Sequence, residues 1–127
     1  MGKVFIAALL IAGQVGCSAE VQRYSSALLT DASTSAVRMY TIHPVQLQLA
    51  GGYERLIPAK TEFIEVGRLK EGIVLRPSRY VLTVEGAHVH EAYLVVSDDT
   101  LVGFYLPVER AFSPLEHRVK VTFKRGE

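Results

Sequence analysis

The chain has 127 residues, room for one domain at most. Apolar types make up 49%, charged types 21%, and the formal net charge is +1, which argues against disorder and against binding nucleic acid by bulk charge. One cysteine forms no internal disulfide, so the fold is held by apolar burial without a covalent staple.

The chain opens Met-Gly-Lys, and residues 4–12 (VFIAALLIA) carry no polar side chain. A short basic start, an apolar run and a small-residue stretch describe a secretory signal peptide. Crossing a bilayer takes ~20 apolar residues, and here Gln14 interrupts early. Ile6 stands where a myristoylation signal requires Ser or Thr.

The signal runs into Gln14-Val15-Gly16-Cys17. This stretch resembles the lipobox of bacterial lipoproteins, a small residue followed by a cysteine, although Gln14 stands where that family usually has an aliphatic residue. The resemblance covers residues 1–17 only. It implies that residues 1–16 are removed, that Cys17 carries a diacylglycerol thioether, and that its new amino group is acylated. It also implies an outer-membrane address, because Ser18 follows the cysteine where Asp favours the inner membrane. A second processing site remains open. Cys17-Ser18-Ala19 reads as a small-x-small site with cleavage before Glu20, which gives a soluble periplasmic or secreted protein. Loss of residues 1–16 removes Lys3, so the mature chain has 13 Lys plus Arg against 13 Asp plus Glu and is formally neutral.

Residues 17–36 are rich in Ser, Ala and Thr and read as a flexible tether, lifting the domain off the bilayer, with a short docked helix as the alternative. From residue 37 to 127 the pattern is that of strands. Val, Ile, Leu, Tyr and Thr recur in short runs at 37–42, 45–49, 53–57, 61–66, 72–75, 80–84, 89–96 and 101–106. Gly51-Gly52, Lys70-Glu71-Gly72, Pro77-Ser78, Glu85-Gly86 and Asp98-Asp99 punctuate them. Residues 118–124 (RVKVTFK) alternate strictly, which turns Val119, Val121 and Phe123 to one face. Short connections enforce antiparallel pairing. The expectation is an all-β domain, a small antiparallel sandwich or barrel of about 7–9 strands.

Three residue groups and one absence bear on function. Arg68, Lys70, Arg76 and Arg79 cluster around one expected turn and read as a solvated sheet edge, or as a site for acidic groups. His88 and His90 share a strand face as surface histidines and weak metal candidates, two ligands where zinc or copper wants three or four. The runs 92–96 and 101–106 are apolar on both faces. They form either a hairpin covered on both sides or a partner-binding face presenting Tyr93, Val95, Phe104 and Tyr105. Finally, no nucleophile elbow, phosphate loop, metalloprotease helix or carboxylate pair occurs, so neither an enzyme nor a cofactor is expected. The expectation is an envelope lipoprotein whose β domain binds a protein partner. By analogy of class it resembles accessory subunits of secretion, conjugation or pilus assemblies. A carrier of lipid or another apolar ligand, and a soluble inhibitor or binding module, are the alternatives.

Overall fold

The computed structural model of the protein describes residues 20–30 and 37–126. The signal peptide, the lipobox and Cys17 lie outside the described residues, as do positions 31–36 of the expected tether. Twelve strands make up the fold among the described residues. The first six are β1 (Tyr24–Ser25), β2 (Arg38–Thr41), β3 (Val45–Gln48), β4 (Glu54–Ile57), β5 (Glu62–Leu69) and β6 (Gly72–Pro77). The rest are β7 (Thr83–Glu85), β8 (Val89–Glu91), β9 (Tyr93–Ser97), β10 (Thr100–Leu106), β11 (Ala111–Lys120) and β12 (Phe123–Arg125). Eight of them form one antiparallel sheet in the order β1-β11-β10-β9-β6-β5-β2-β12, and the hairpins β3–β4 and β7–β8 stand apart from it. The domain is all-β, as the sequence pattern predicts.

The sheet is rolled. β11 lies beside one edge strand and β12 is the other edge, yet only Val121 and Thr122 separate them. Val121 N–H donates to Asp99 O at 2.9 Å, in the β9–β10 turn, while Thr122 O accepts from Ile42 N–H at 2.9 Å, just beyond β2. Adjacent residues therefore bond to opposite halves of the sheet, which requires strong curvature. Two irregularities supply it. Val66 is an extra residue in β5 against β6, and Val102 an extra residue in β10 against β9. On its other side Val102 stands alone opposite residues 115–118 of β11, where that strand leaves its neighbour. Bulges bend a strand and raise its twist. Gly103 permits the second one: a Cβ there would come within 2.4 Å of Ser113 O.

Two apolar clusters follow. Inside the roll, Phe63, Leu75, Leu94, Leu101, Phe104 and Leu106 meet Val45, Leu47 and Ile57 of the first hairpin and Val84 of the second. The hairpins thus act as a second layer over the concave face. On the outer face, Leu69, Val74, Val95, Val102, Tyr105 and Phe112 are buried with Leu28 packed against them.

Leu28 belongs to a segment that the sequence reads as a flexible tether with a possible helix. Residues 20–30 instead form an extended strap. Val21 is buried in the inner core, Tyr24 and Ser25 pair with Phe112 and Ala111, and Ser26 N–H donates to Arg110 O at 3.2 Å. Leu29 then exchanges two main-chain hydrogen bonds with Arg68, both 2.9 Å. The strap crosses from β11 to β5 over the outer cluster. Its apolar residues at 21, 24, 28 and 29 serve an extended chain that touches different elements in turn, so helical spacing misreads them.

Candidate functional site

The β9–β10 hairpin turns through Asp98 and Asp99, both at positive φ (48° and 59°), the conformation that matches the twist of a two-residue hairpin. Of the four residues expected to face a partner, three are core. Phe104 is 2% exposed and points into the roll; Val95 (0%) and Tyr105 (5%) are sealed in the outer cluster. Only Tyr93 is half-open, with its ring stacked on Tyr105 at 6.3 Å between centroids. The hairpin is apolar on both faces because both faces are covered. The partner surface expected there is corrected accordingly. The Tyr93 hydroxyl is raised above its ordinary value by burial and by the charge of Glu91, with Arg76 opposing and Tyr105 adding to the rise.

The basic cluster also divides. Arg68 and Lys70 sit at the turn between β5 and β6, while Arg76, paired with Ile64, and Arg79 sit at the far end of the same hairpin. A strand advances ~3.3 Å per residue, so the two halves are on the order of 20 Å apart. Arg79 instead joins Arg38 around the buried Glu62 carboxylate, at 3.8 and 3.3 Å, with the Tyr40 hydroxyl donating to it at 3.3 Å.

His90 is a buried side chain held by two carboxylates. Period-2 geometry in β8 turns it inward, and it is 5% exposed, which corrects its expectation as a surface histidine. Its Nδ1 lies 2.6 Å from Glu109 Oε1 and its Nε2 lies 3.0 Å from Glu20 Oε1. Both ring nitrogens of His90 thus face a carboxylate oxygen at hydrogen-bond distance. Burial pushes the Glu109 carboxyl up. The hydrogen bond from His90, a bond from its own backbone N–H, and the charges of His90 and Arg23 outweigh that, leaving it below its ordinary value. Glu109 Oε2 is buried without a partner.

The arrangement is a clamp. It ties the start of the strap to β8 and to the turn after β10 through the two ring nitrogens of His90. His88 is exposed in the preceding turn, its ring edge-on to His90 at 6.4 Å. His43 and His117 are exposed elsewhere, and among the described residues no group of three His, Cys, Asp or Glu side chains is set to hold a metal ion. Glu20 and Glu109 lie 70 and 19 residues from His90 in sequence, and no local pattern joins the three. Comparison with protein-family models, with curated proteins and with solved structures finds no match to this chain.

Proposed function

We propose that the protein is a lipoprotein of the bacterial outer membrane, anchored through Cys17, whose β domain faces the periplasm and binds a protein partner as an accessory subunit of an envelope assembly. The observation that carries the reading is the apolar signal running directly into Gly16-Cys17. The clamp supports it physically. Glu20 and Val21 are held on the domain by His90 and by the inner core. Three residues of chain reach at most ~11 Å. An acylated Cys17 would therefore hold the His90 side of the domain close to the bilayer, with the rest of the surface turned outward.

Intact mass and N-terminal analysis of the protein from the membrane fraction test this. The expected result is a chain starting at acyl-modified Cys17, moved to the soluble fraction by Cys17→Ser. Unmodified Cys17, or a mature N-terminus at Glu20, overturns the anchor. The carrier alternative draws no support from the apolar side chains that pack the roll among the described residues. The roll is filled by Phe63, Leu75, Leu94, Leu101 and Leu106, each at 0% exposure.

A further inference from the structure

The strongest unabsorbed feature is a groove of about 430 Å³ between β4 and the segment leading into β7. Leu56, Ile57 and Pro58 line one wall and Val81, Leu82 and Thr83 the other. Leu56 and Val81 are 60% and 65% exposed, far more than a fold needs of large aliphatic side chains at adjoining positions.

Each wall includes an open strand edge, β4 on one side and the start of β7 on the other. β4 pairs only with β3, and β7 only with β8, among the described residues. Leu49 N–H donates to Tyr53 O at 2.7 Å, which fixes the alternation along β3–β4 and turns the main-chain groups of Leu56 away from β3. Ala92 N–H donates to Leu82 O at 2.9 Å and Gly86 N–H to His88 O at 3.0 Å, which turns those of Thr83 away from β8. The Arg55–Glu85 ion pair joins the two strands at one end.

The opposite end is cationic. Tyr80 borders both this groove and a neighbouring hollow that includes Lys60, Glu62 and Arg79. Arg79 is 84% exposed and Arg38 58%, and the single Glu62 carboxylate is shared between them, with Lys60 beside it. That leaves a local excess of positive charge. The wall there is firm. The Thr41 hydroxyl donates to Pro58 O at 2.8 Å and accepts from Thr61 N–H at 2.9 Å, and Thr61 Oγ1 donates to Pro58 O at 2.6 Å.

We propose that this groove takes an extended segment of a partner protein as an added strand, with apolar side chains against Leu56 and Val81 and a carboxylate against Lys60 and Arg79. Strand addition draws affinity from main-chain hydrogen bonds and specificity from the pockets for alternate side chains. Charge complementarity decides the direction: the acidic end lies at Arg79 and the neutral, apolar part runs toward Arg55. The inference deepens the partner-binding reading and rests on it. It is independent of the anchor, since every residue it uses lies at Arg38 or beyond.

The test is selection of random peptides against the full mature chain, followed by fluorescence titration of the consensus peptide. The expected consensus alternates apolar residues and ends in Asp or Glu. Leu56→Lys and Arg79→Glu each weaken it about tenfold or more, and N-methylation at alternate peptide bonds abolishes binding. Free and amidated C-termini separate a chain-end carboxylate from an acidic side chain. Thermal unfolding of each variant accompanies the titration, and Val81→Asp serves as the second probe of the same wall. A basic consensus, no consensus, or binding that ignores Leu56→Lys and Val81→Asp overturns the proposal. So does self-association of the chain that Leu56→Lys abolishes, because the occupant is then a second copy. If these fail while in-envelope crosslinking from another face identifies a partner, partner binding stands and the groove falls. The Cys17→Ser chain must bind the peptide equally, whatever the fate of the anchor.

Discussion

His90 shows how much one side chain holds in place. Its ring touches the strap through Glu20 and the turn after β10 through Glu109. His90→Gln keeps most of the volume and one donor but removes one of the two contacts to Glu20 and Glu109. We expect it to cost about 2 kcal/mol, below the ~3–5 kcal/mol of a fully buried broken pair, because Glu20 keeps much of its hydration at 43% exposure. His88→Ala, on an exposed ring, should stay within about 0.5 kcal/mol. Urea unfolding of the two variants checks both. The clamp also sets a pH dependence through Glu109. The folded carboxyl is more acidic than its ordinary value of 4.5, so as pH falls the unfolded chain takes up its proton first. This stabilisation is full above that ordinary value and is lost as pH drops through the lower folded one. In His90→Gln the main opposition to burial is gone, so the acid loss assigned to Glu109 should shrink. Unfolding midpoints that fall in parallel for wild type and variant between about pH 6 and pH 3 would contradict it. None of this was legible in sequence. The spacing of His88 and His90 suggests one shared surface face, but His88 lies in the turn and His90 points inward, and the partners of His90 come from 70 residues away and from a turn, so only the fold brings them together.

The elements were more legible than the residues, and their misreadings have a physical cause. The hairpin at Asp98-Asp99 and most strand positions follow from β-branched runs and turn residues. Residues 89–96 read as one strand but divide at the buried Ala92, because β8 serves a hairpin and β9 the main sheet. Residues 118–124, the cleanest alternation in the chain, span β11, next to one edge of the sheet, and β12, the other edge. The alternation survives because Val121 stays in the same core through the change of partner. Residues 101–106 lose their alternation at the bulge: Leu101, Phe104 and Leu106 face inward while Val102 and Tyr105 face outward. Gly103 carries this device. Gly103→Ala forces a methyl against Ser113 O and the Phe112 ring, at 2.4 and 2.8 Å, and should cost about 2–3 kcal/mol. Gly52→Ala, where a Cβ meets nothing within 4 Å and only the positive φ of 83° is strained, should cost about 1 kcal/mol. Equal melting temperatures for the two variants would mean that the bulge tolerates a side chain, and that the curvature has another origin.

At the scale of the whole molecule, the strap decides whether the rolled sheet has one covered face or two. The outer cluster contains Val74 and Val95 at 0% exposure and Tyr105 at 5%, and Leu28 packs on it from a segment that precedes the main run of strands. Strands apolar on both faces are stable only when both faces are covered. The strap also satisfies main-chain groups of β11 and of Arg68, where the sheet would otherwise end in open edges. A chain beginning at Val37 keeps every strand of the inner core and loses β1, Val21, Leu28 and the Glu20 side of the clamp. We expect it to fold and yet melt at least about 10 °C lower, since ~1 kcal/mol moves a domain of this size by ~4–8 °C. It should also bind a hydrophobic dye and self-associate through the uncovered face. Leu28→Asp in the full chain should reproduce the dye binding with a smaller loss of melting temperature, because the β1 pairing remains. Adding residues 20–30 as a free peptide should restore the melting temperature and abolish dye binding. If the shortened chain melts with the full one and stays monomeric, the outer cluster is closed by the sheet itself and the strap is only a passenger on it. If it fails as described, the segment that follows Cys17 is part of the folded domain, and an anchor at that cysteine leaves no slack between bilayer and sheet.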